Sequence, residues 1–413
     1  MARTVDRIGL SNDSIWTASA ATQSFPPLKE DIVTDVCVVG AGIAGMLVAY
    51  ELSQAGKRVV VLETARVGSG MTSMTSAHLT TAVDDRYFDM LRRHGEDATR
   101  KIAQAHTAAI DRIEGIVRQE RIVCGFSRVD GLLTLGRDDS VDILERELEA
   151  VRRAGLHGVE LERYVVYPAR GNEPCLRFPR QARFHPLHFL HGLTDAVEQA
   201  GGRIFGDTHV DDVSGGERVC VRAGDHVVVA AAGVIATNAP ISERDAVFTK
   251  QTPYVTYVIA APVDDGAMRD VLGWDTEDPY HYVRLQHLND TRRNGRARDY
   301  VVVGGEDHKS GHAFDAQDRF SRLFEWVRER IPTIGDAEFA WSGEIIESDD
   351  RIALLGRSPD EGTNVYLITG ESGVGMTHSA IGAAIIRDAI QGVPNEWATL
   401  YEPNRETLRS MRR

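Results

Sequence analysis

The sequence predicts an α/β protein in which a parallel sheet with helices is interleaved with an α+β part built on a mostly antiparallel sheet. The parallel part is predicted from the apolar, β-branched segment 33–39, which enters a glycine-rich turn at 40–45. Apolar residues then continue as a helix ending near Gly56, and the apolar segment 58–62 follows as a second strand. Two strands joined by a crossover helix form a βαβ unit, whose strands are parallel.

The antiparallel part is predicted from long strand-like segments in the middle of the chain, which one helical segment, 315–331, interrupts. A run of strands covered by a single helix is typical of a mostly antiparallel sheet. The four strand segments are 252–261, 280–286, 300–304 and 338–346.

Two helices and a hairpin are predicted between these parts. Residues 102–117 and 141–151 repeat apolar side chains at helical spacing, and Gly155 ends the second of these helices. The segment 126–135 between them has the pattern of a hairpin that turns at 129–131.

A further helix is predicted to begin at Pro186 and to end at Gly201. Three β-branched strands follow it, at 203–205, 219–222 and 227–236. Near the end of the chain the apolar strand 364–369 enters a second glycine-rich turn, 370–376, which opens a helix of small residues. The sequence therefore carries strand–glycine–helix units near both ends.

A chain of 413 residues is longer than one hydrophobic core usually serves, so two interleaved domains are expected. The first, cofactor-binding domain is expected to comprise 1–84, 182–249 and 340–413. The second domain, which would bind the substrate, is expected to comprise 85–181 and 250–339.

Charge and cysteine content exclude several classes of protein. The net charge is −14, which repels phosphate backbones and anionic lipid headgroups, so neither a nucleic acid nor a membrane is an expected partner. Cys37, Cys124, Cys175 and Cys220 are scattered without a C-x-x-C pair. We therefore expect free thiols, no disulfide framework and no bound metal.

The N-terminal residues lack the apolar core of a secretory signal, and the longest uncharged apolar runs are too short to cross a bilayer. A cytoplasmic location is expected from these two features.

The turn 40–45 carries the pattern G-x-G-x-x-G, and Glu63 stands at the end of the following strand. Gly40 permits a tight turn, Gly42 lets the backbone approach a pyrophosphate, and Gly45 allows close helix–strand packing. The helix N-terminus attracts the phosphates, and the Glu63 carboxylate would accept hydrogen bonds from an adenosine ribose. NAD and FAD both fit this pattern, and glycines that serve packing alone are the disfavoured alternative.

Four segments bear on the choice between these cofactors, namely 34–63, 68–79, 234–238 and 369–378. Together they resemble the FAD-dependent D-amino-acid oxidase/glycine oxidase superfamily, and the resemblance extends from about residue 10 to the C-terminus. Within it, the segments 75–81, 84–87, 274–282 and 304–309 are most similar to bacterial flavoproteins that often carry a Rieske iron–sulfur domain after the flavin part. This chain ends where that domain would begin, so none is expected here.

The resemblance implies a Rossmann-type FAD-binding domain in which the helix at 373–377 points its N-terminus at the flavin edge where negative charge accumulates on reduction. The backbone of Val210 would contact the adenine. The full set of residues that the resemblance places beside FAD is Gly40, Gly42, Ile43, Ala44, Gly45, Glu63, Thr64, Arg66, Gly70, Thr72, Ser73, Ala77, His78, Leu79, Val210, Thr237, Asn238, Gly370, Gly373, Val374, Gly375, Met376 and Thr377. Non-covalent FAD is expected, and attachment through His78, as in distant members, is the alternative.

The same resemblance implies that the substrate lies between the antiparallel sheet and the flavin. Strand alternation from Tyr280 puts Tyr282 and Arg284 on one face and His281 on the other. Arg284 would clamp a substrate carboxylate, and His281 or Tyr282 would orient the amine. His378, one turn inside the flavin-binding helix, would face the site. An ion pair for Arg284 and a packed core position for His281 are the structural alternatives.

The leading function that these residues imply is oxidation of a C–N bond of an amine or amino acid to an imine, with hydride transfer to the flavin. One alternative is a dehydrogenase subunit that passes electrons to a separate Rieske or ferredoxin partner, and another is a non-catalytic flavin-binding protein. Aligning the strands by their glycines puts Val302 where related oxidases can carry a lysine that promotes reaction with oxygen. Slow oxygen use is therefore expected.

Overall fold

The computed structural model describes residues 13–239, 247–290, 296–311, 315–359 and 364–406. Its strands are β1 (Ile32–Val39), β2 (Val59–Leu62), β3 (His78–Leu79), β4 (Ser127–Thr134), β5 (Glu160–Tyr164), β6 (Glu173–Arg183), β7 (Arg203–Phe205), β8 (Asp212–Ser214), β9 (Val219–Ala223), β10 (His226–Asn238), β11 (Gln251–Val263), β12 (Leu272–Asp275), β13 (His281–Asp290), β14 (Arg296–Lys309), β15 (Phe339–Ser348), β16 (Leu354–Arg357) and β17 (Val365–Thr369). Its helices are α1 (Ile15–Ser19), α2 (Ile43–Gln54), α3 (Tyr87–Gln119), α4 (Val141–Arg153), α5 (Pro186–Gln199), α6 (Ala316–Arg330), α7 (Gly375–Gln391) and α8 (Ala398–Tyr401).

The first sheet has the order β16-β17-β10-β1-β2-β7, with β8 and β9 attached to β10. The strands β17, β10, β1, β2 and β7 are parallel neighbours, whereas β16 and β9 pair antiparallel. Because parallel strands end at the same edge of a sheet, the turns that follow β1, β2, β10 and β17 meet at one edge. Both glycine-rich turns predicted from the sequence are therefore brought together.

The second sheet has the order β15-β11-β14-β13-β12-β4-β6-β3, with β5 on β6. Its pairs are antiparallel except for β12 with β4. The predicted hairpin at 126–135 is wrong, because β4 continues through Gly131 as a single strand with a register shift between Val129 and Gly131. A Cβ atom on Gly131 would lie 2.6 Å from the Trp274 ring, so this glycine serves close packing across strands and not a turn.

The chain passes repeatedly between the two sheets, which makes the domains interleaved. The strand β15 lies in the second sheet beside β11, so the boundary predicted at residue 340 falls inside a strand of that sheet. The short strand β3 also belongs there, on the first-domain side of the boundary predicted at residue 84. The α/β class and the mostly antiparallel second sheet are confirmed.

The helices cover both sheets and contribute to the core together with the strands. Helices α5 and α7 pack on α2, while α6 packs across β11 and β14. The helix α3 starts earlier than the predicted 102–117 and has a kink at Gly95, whose φ is 77°. None of the helices in the described ranges is both long and apolar enough to cross a membrane.

Candidate cofactor and substrate site

A cavity of about 590 Å³ lies between the carboxyl edge of the first sheet and one face of the second. One end is lined by the turns that follow β1 and β2, and the other by residues of β11, β13 and β15. A single 3-10 turn, Met71–Ser73, with the loop that follows it, and the N-terminus of α7 line the middle. The shape fits a long dinucleotide with space beyond its far end.

The first glycine turn is shaped by backbone contacts that exclude side chains. Gly40 has a φ of 100°, and a Cβ atom there would lie 2.6 Å from a carbonyl oxygen of β10. A Cβ atom on Gly45 would lie 1.9 Å from the Gly40 carbonyl oxygen, so the helix packs directly on the turn. Gly42 is the N-cap of α2, and the Ile43 amide donates a hydrogen bond to the Thr72 hydroxyl over 2.9 Å. This end of α2 offers a cradle for phosphate groups.

Glu63 ends β2 and lines the same end of the cavity with Thr64 and Val210. Its carboxylate accepts hydrogen bonds from the Ala41 amide over 2.8 Å and from the Ala65 amide over 3.0 Å. The carboxylate is thereby fixed beside the glycine turn, where a ribose would meet it. The Thr237 and Asn238 end of β10 also reaches this cavity, whereas the predicted contact Arg66 is exposed and does not line it.

The loop from Gly70 to Leu79 crosses the middle of the cavity. Gly70, Thr72 and His78 line the cavity, while Ser73, Ala77 and Leu79 are buried behind the loop and do not. Two tryptophans hold the loop from opposite sides. The Trp16 ring N–H donates to the Thr75 carbonyl over 2.6 Å, and the Trp341 ring N–H donates to the Met74 carbonyl over 2.9 Å.

His78 presents one ring nitrogen without a partner. Its Nδ1 is hydrogen-bonded with the Ser76 hydroxyl over 2.9 Å, its ring lies edge-on to Tyr282, and its Nε2 is buried with no hydrogen-bond partner. Burial lowers the pKa of His78 to about 3, and the nearby Arg284 charge acts in the same direction. His78 is therefore a neutral imidazole at the middle of the cavity.

The second glycine turn opens α7 on the opposite side. Gly370 and Gly373 have φ values of 69° and 77°, which glycine adopts without strain. Gly373, Val374, Gly375 and Met376 line the cavity, but Gly370 and the predicted contact Thr377 lie outside it. The N-terminal amides of α7 thus face the enclosed space and would stabilise negative charge there.

Glu371 is a cavity residue that the sequence did not single out. Its carboxyl accepts a hydrogen bond from the Ser379 hydroxyl over 3.2 Å, and burial raises its pKa to about 7. A Cβ atom on Gly375 would lie 2.7 Å from Oε2 of Glu371, so the acid is packed against the first turn of α7.

The far end of the cavity is lined by aromatic and hydroxyl side chains of the second sheet together with Asp84. Tyr280, Tyr282, Trp274 and Thr256 contribute, and the Tyr282 hydroxyl is hydrogen-bonded with the Thr256 hydroxyl over 3.0 Å. Of the four predicted catalytic residues, only Tyr282 lies here.

Arg284 lies on the Tyr282 side of β13, as alternation predicts, but deeper in the core. It has no exposed surface, and its guanidinium donates to the carbonyls of Ser76, Ala77 and Phe184. With its N–H groups engaged by backbone, Arg284 is not available to a substrate carboxylate. We therefore do not retain it as a clamp.

His281 and His378 also lie outside the cavity. Nδ1 of His281 donates to the Asp275 carboxylate over 3.0 Å, and its ring stacks on Trp326. Asp275, His281 and Glu277 place their ligand atoms within 4.8 Å of one another, yet the hydrogen bond and the stacking account for the histidine. Nδ1 of His378 donates to the Glu371 carbonyl over 2.9 Å, and burial holds its pKa well below the usual range.

Asp84, Tyr280 and Thr256 were missed as site residues. Asp84 belongs to a run of charged residues, a pattern that is typical of the exposed start of a helix. The carboxyl packs against Gly373, which is distant in sequence, and this contact puts Asp84 in the cavity. A sequence signal for that contact is the glycine at 373, which leaves space for a neighbouring side chain.

The residues present fit an FAD. The two glycine turns exclude side chains at the places where phosphate and ring would approach, and Glu63 and the α7 amides supply the polar contacts. The fold and site thus define a flavoprotein with a Rossmann-type dinucleotide domain.

Comparison with known proteins agrees with this class. The family model "FAD dependent oxidoreductase" (DAO) matches residues 35–389, and the chain belongs to this family of FAD-dependent enzymes. The chain is 27% identical over 394 residues to the "Putative Rieske 2Fe-2S iron-sulfur protein YhfW" of Bacillus subtilis, covering 95% of this chain and 75% of that protein. It is 26% identical to the gamma-glutamylputrescine oxidoreductase of Escherichia coli, over 92% of this chain and 89% of that one.

Solved structures show the same fold. Glycine oxidase from Geobacillus kaustophilus superposes with a TM-score of 0.75 at 16% identity, covering 91% of this chain and all of that chain. L-Proline dehydrogenase from P. horikoshii superposes with a TM-score of 0.72 at 17% identity, covering 91% of this chain and 98% of that one.

Proposed function

We propose that this flavoenzyme oxidises a C–N single bond of an amine or amino acid to an imine. In this reaction the substrate carbon would lose a hydride and the nitrogen a proton, and water would hydrolyse the imine after its release. The observation that carries this proposal is one continuous cavity. It joins the two glycine-rich turns to a pocket of aromatic side chains on the second sheet. Bound FAD supplies the hydride acceptor.

The side chains of this pocket would position the substrate and exclude water. Tyr282 and Thr256 form one hydrogen-bonded wall, and the Trp274 ring forms another. An enclosed space would also keep bulk water away from the imine until it is released. The Gly375 amide at the N-terminus of α7 would stabilise the negative charge that FAD gains.

The test is anaerobic reduction of the FAD-bound enzyme by a panel of amines and amino acids. Loss of the visible flavin absorbance, with one carbonyl product per FAD after hydrolysis, is the expected result. Tyr282→Phe should bleach more slowly at unchanged FAD content, whereas Tyr164→Phe, on β5 outside the cavity, should behave as the unaltered enzyme. Flavin that no member of the panel reduces would argue against this function.

A separate redox protein is the electron acceptor that we propose in place of oxygen. The similarity to a protein named for a Rieske 2Fe-2S centre favours such a partner. No lysine is found among the cavity-lining residues of the described ranges. The non-catalytic alternative is not retained, because the family consists of oxidoreductases.

A further inference from the structure

Two carboxyl groups lie at the aromatic end of the cavity. Asp84 lines the cavity directly. Asp307, on β14, lies behind Thr256 and Tyr280, and hydrogen bonds from both of these residues act on its carboxyl. The second oxygen of this carboxyl, Oδ1, is buried without a hydrogen-bond partner. The two acids are close enough that the charge of Asp307 raises the pKa of Asp84.

Two other acids whose charges act on Asp84, Asp85 and Glu347, lie beside an arginine. Arg351 forms an ion pair with Glu347 and lies 3.8 Å from the Asp85 carboxylate. By contrast, no lysine, arginine or histidine lies within ion-pairing distance of Asp84 or Asp307 in the parts of the chain that the structure describes. Two partly buried carboxylates without an ion-pair partner are costly unless a positive group from outside completes them, and the more distant charge of Arg319 offsets only part of that cost at Asp307.

The cavity offers little to a carboxylate at this end. Arg86 is the single lysine or arginine among the described residues that line the cavity, and its Nη2 donates to the Asp275 carbonyl over 2.6 Å. Arg284 is sealed behind the loop. On the second sheet, Ile345 and Ile346 line the wall beside Glu344. An anionic group next to the reacting nitrogen would therefore meet Asp84 and apolar side chains.

We propose that the substrate is an amine bound as its cation against the carboxylate of Asp84, with the charge of Asp307 behind it and no carboxylate on the carbon next to the nitrogen. This proposal rests on the proposed function and narrows it from amines and amino acids to amines. The rings of Tyr280, Tyr282 and Trp274 complete the pocket with faces that attract a cation.

Gly373 supports the role of Asp84. A Cβ atom on Gly373 would lie 3.1 Å from Cγ and 3.2 Å from Oδ2 of Asp84, so glycine leaves the carboxyl in place against the turn that opens α7. An ammonium on Asp84 is thereby held next to the turn that we expect to face the flavin ring.

The experiment uses three matched probes, n-butylamine, 2-aminobutyrate and butyrate, titrated into the FAD-bound enzyme. Binding is read from the perturbation of the flavin absorption spectrum, and reduction is read separately from anaerobic bleaching. n-Butylamine is expected to bind at least 10-fold more tightly than either 2-aminobutyrate or butyrate. Asp84→Asn should weaken n-butylamine at least 10-fold, whereas Asp85→Asn, whose side chain pairs with Arg351 outside the cavity, should change it less than threefold.

Each outcome separates the two proposals. Tighter binding of 2-aminobutyrate or butyrate than of n-butylamine, or an Asp84→Asn variant that binds n-butylamine with unchanged affinity, would overturn the amine assignment. Bleaching by 2-aminobutyrate alone would leave the proposed function standing and contradict this inference. A third outcome is that n-butylamine binds the unaltered enzyme but not Asp84→Asn, while no amine or amino acid bleaches the flavin. This outcome would support the binding site and contradict the proposed function. Asp307→Asn, which keeps the hydrogen-bonding shape, provides the second variant and should weaken n-butylamine threefold or more.

Discussion

Nη1 of Arg284 donates a hydrogen bond over 2.8 Å to the carbonyl of Ala77, a residue held at a φ of 56°. The left-handed conformation is unfavourable for alanine, and it turns the chain so that His78 enters the cavity. The same guanidinium also binds the Ser76 carbonyl, and the Trp16 ring covers it. Arg284, on β13, thus positions the loop from Gly70 to Leu79.

Arg284→Met should therefore lower stability, because it leaves buried carbonyls unpaired at a cost of about 1–3 kcal/mol each. We expect a lower denaturant midpoint and weaker FAD retention. We also expect a loss of activity that is equal for all substrates. Arg58→Met, an exposed arginine paired with Asp35, is the control and should change the free energy of unfolding by less than about 1 kcal/mol. A raised KM for carboxylate substrates alone, at normal stability, would restore Arg284 as a clamp.

Glu63→Ala should weaken FAD binding by about 1–3 kcal/mol, because the carboxylate would accept charge-assisted hydrogen bonds from the ribose. The measurement is titration of FAD into the apoprotein, followed by flavin fluorescence. Glu30→Ala removes an exposed acid that pairs with Arg203, and FAD affinity should then stay the same. Equal FAD affinity in both variants would contradict the ribose contact.

Much of the fold could be predicted because its signals are local. The glycine pattern between β1 and α2 and the apolar alternation of β11 and β13 each lie within a short stretch of sequence. The error at β4 has a long-range cause. Gly131 looks like a turn residue in its own segment, but it is required by the Trp274 ring from a strand that pairs with β4.

The cofactor side of the site was more predictable than the substrate side for the same reason. Gly40 and Gly373 are fixed by the backbone of their own turns. Arg284 and His281 were placed by strand alternation alone, and Asp84 was not predicted as a site residue. Their actual environments come from the loop at Ser76–Ala77, from Trp326 and from Gly373, contacts that no single segment of sequence reveals.

Asp84→Asn should stabilise the protein at pH 8. Burial raises the pKa of Asp84 from 3.8 to about 7, with further upward effects of Asp307, Asp85 and Glu347, whereas a hydrogen bond from Tyr280 acts against them. The folded state therefore binds more protons than the unfolded state between about pH 4 and pH 7, and stability falls as pH rises through this window.

The variant should equal the unaltered protein near pH 4 and exceed it at pH 8 by on the order of 4 kcal/mol in the free energy of unfolding. Denaturant unfolding at both pH values measures the difference. Asp97→Asn, which alters a side chain that is 76% exposed, serves as the control and should show no such pH dependence. The opposite result is that the variant and the unaltered protein differ in the free energy of unfolding by the same amount at pH 4 and at pH 8. That result would contradict the buried, uncompensated environment of Asp84.

FAD should be released when the protein is denatured. His78 lines the cavity with a free Nε2, so it is the side chain with which a covalent link would form. We expect yellow colour in the supernatant after acid precipitation, and FAD by mass spectrometry. His78→Ala should still bind FAD. Colour that stays with the pellet in the unaltered protein, and is lost from the pellet in His78→Ala, would establish the covalent link instead.

Reduced FAD in this enzyme should react slowly with oxygen, because no lysine of the described residues lines the cavity to stabilise the anion of reduced oxygen. Val302, at the position where the strand alignment places such a lysine in related oxidases, is fully buried in the core and pairs with Arg284 across β13 and β14. Lys250 donates instead to the carbonyls of Pro403 and Arg405, and no lysine within the described ranges lines the cavity.

The measurement is photoreduction without oxygen, followed by stopped-flow mixing with air-saturated buffer or with ferricyanide. We expect fast reoxidation by ferricyanide and slow reoxidation by oxygen, as for an enzyme that passes electrons to a redox protein. Oxygen that reoxidises the flavin as fast as ferricyanide, with stoichiometric peroxide, would make the enzyme an oxidase and remove the need for a partner.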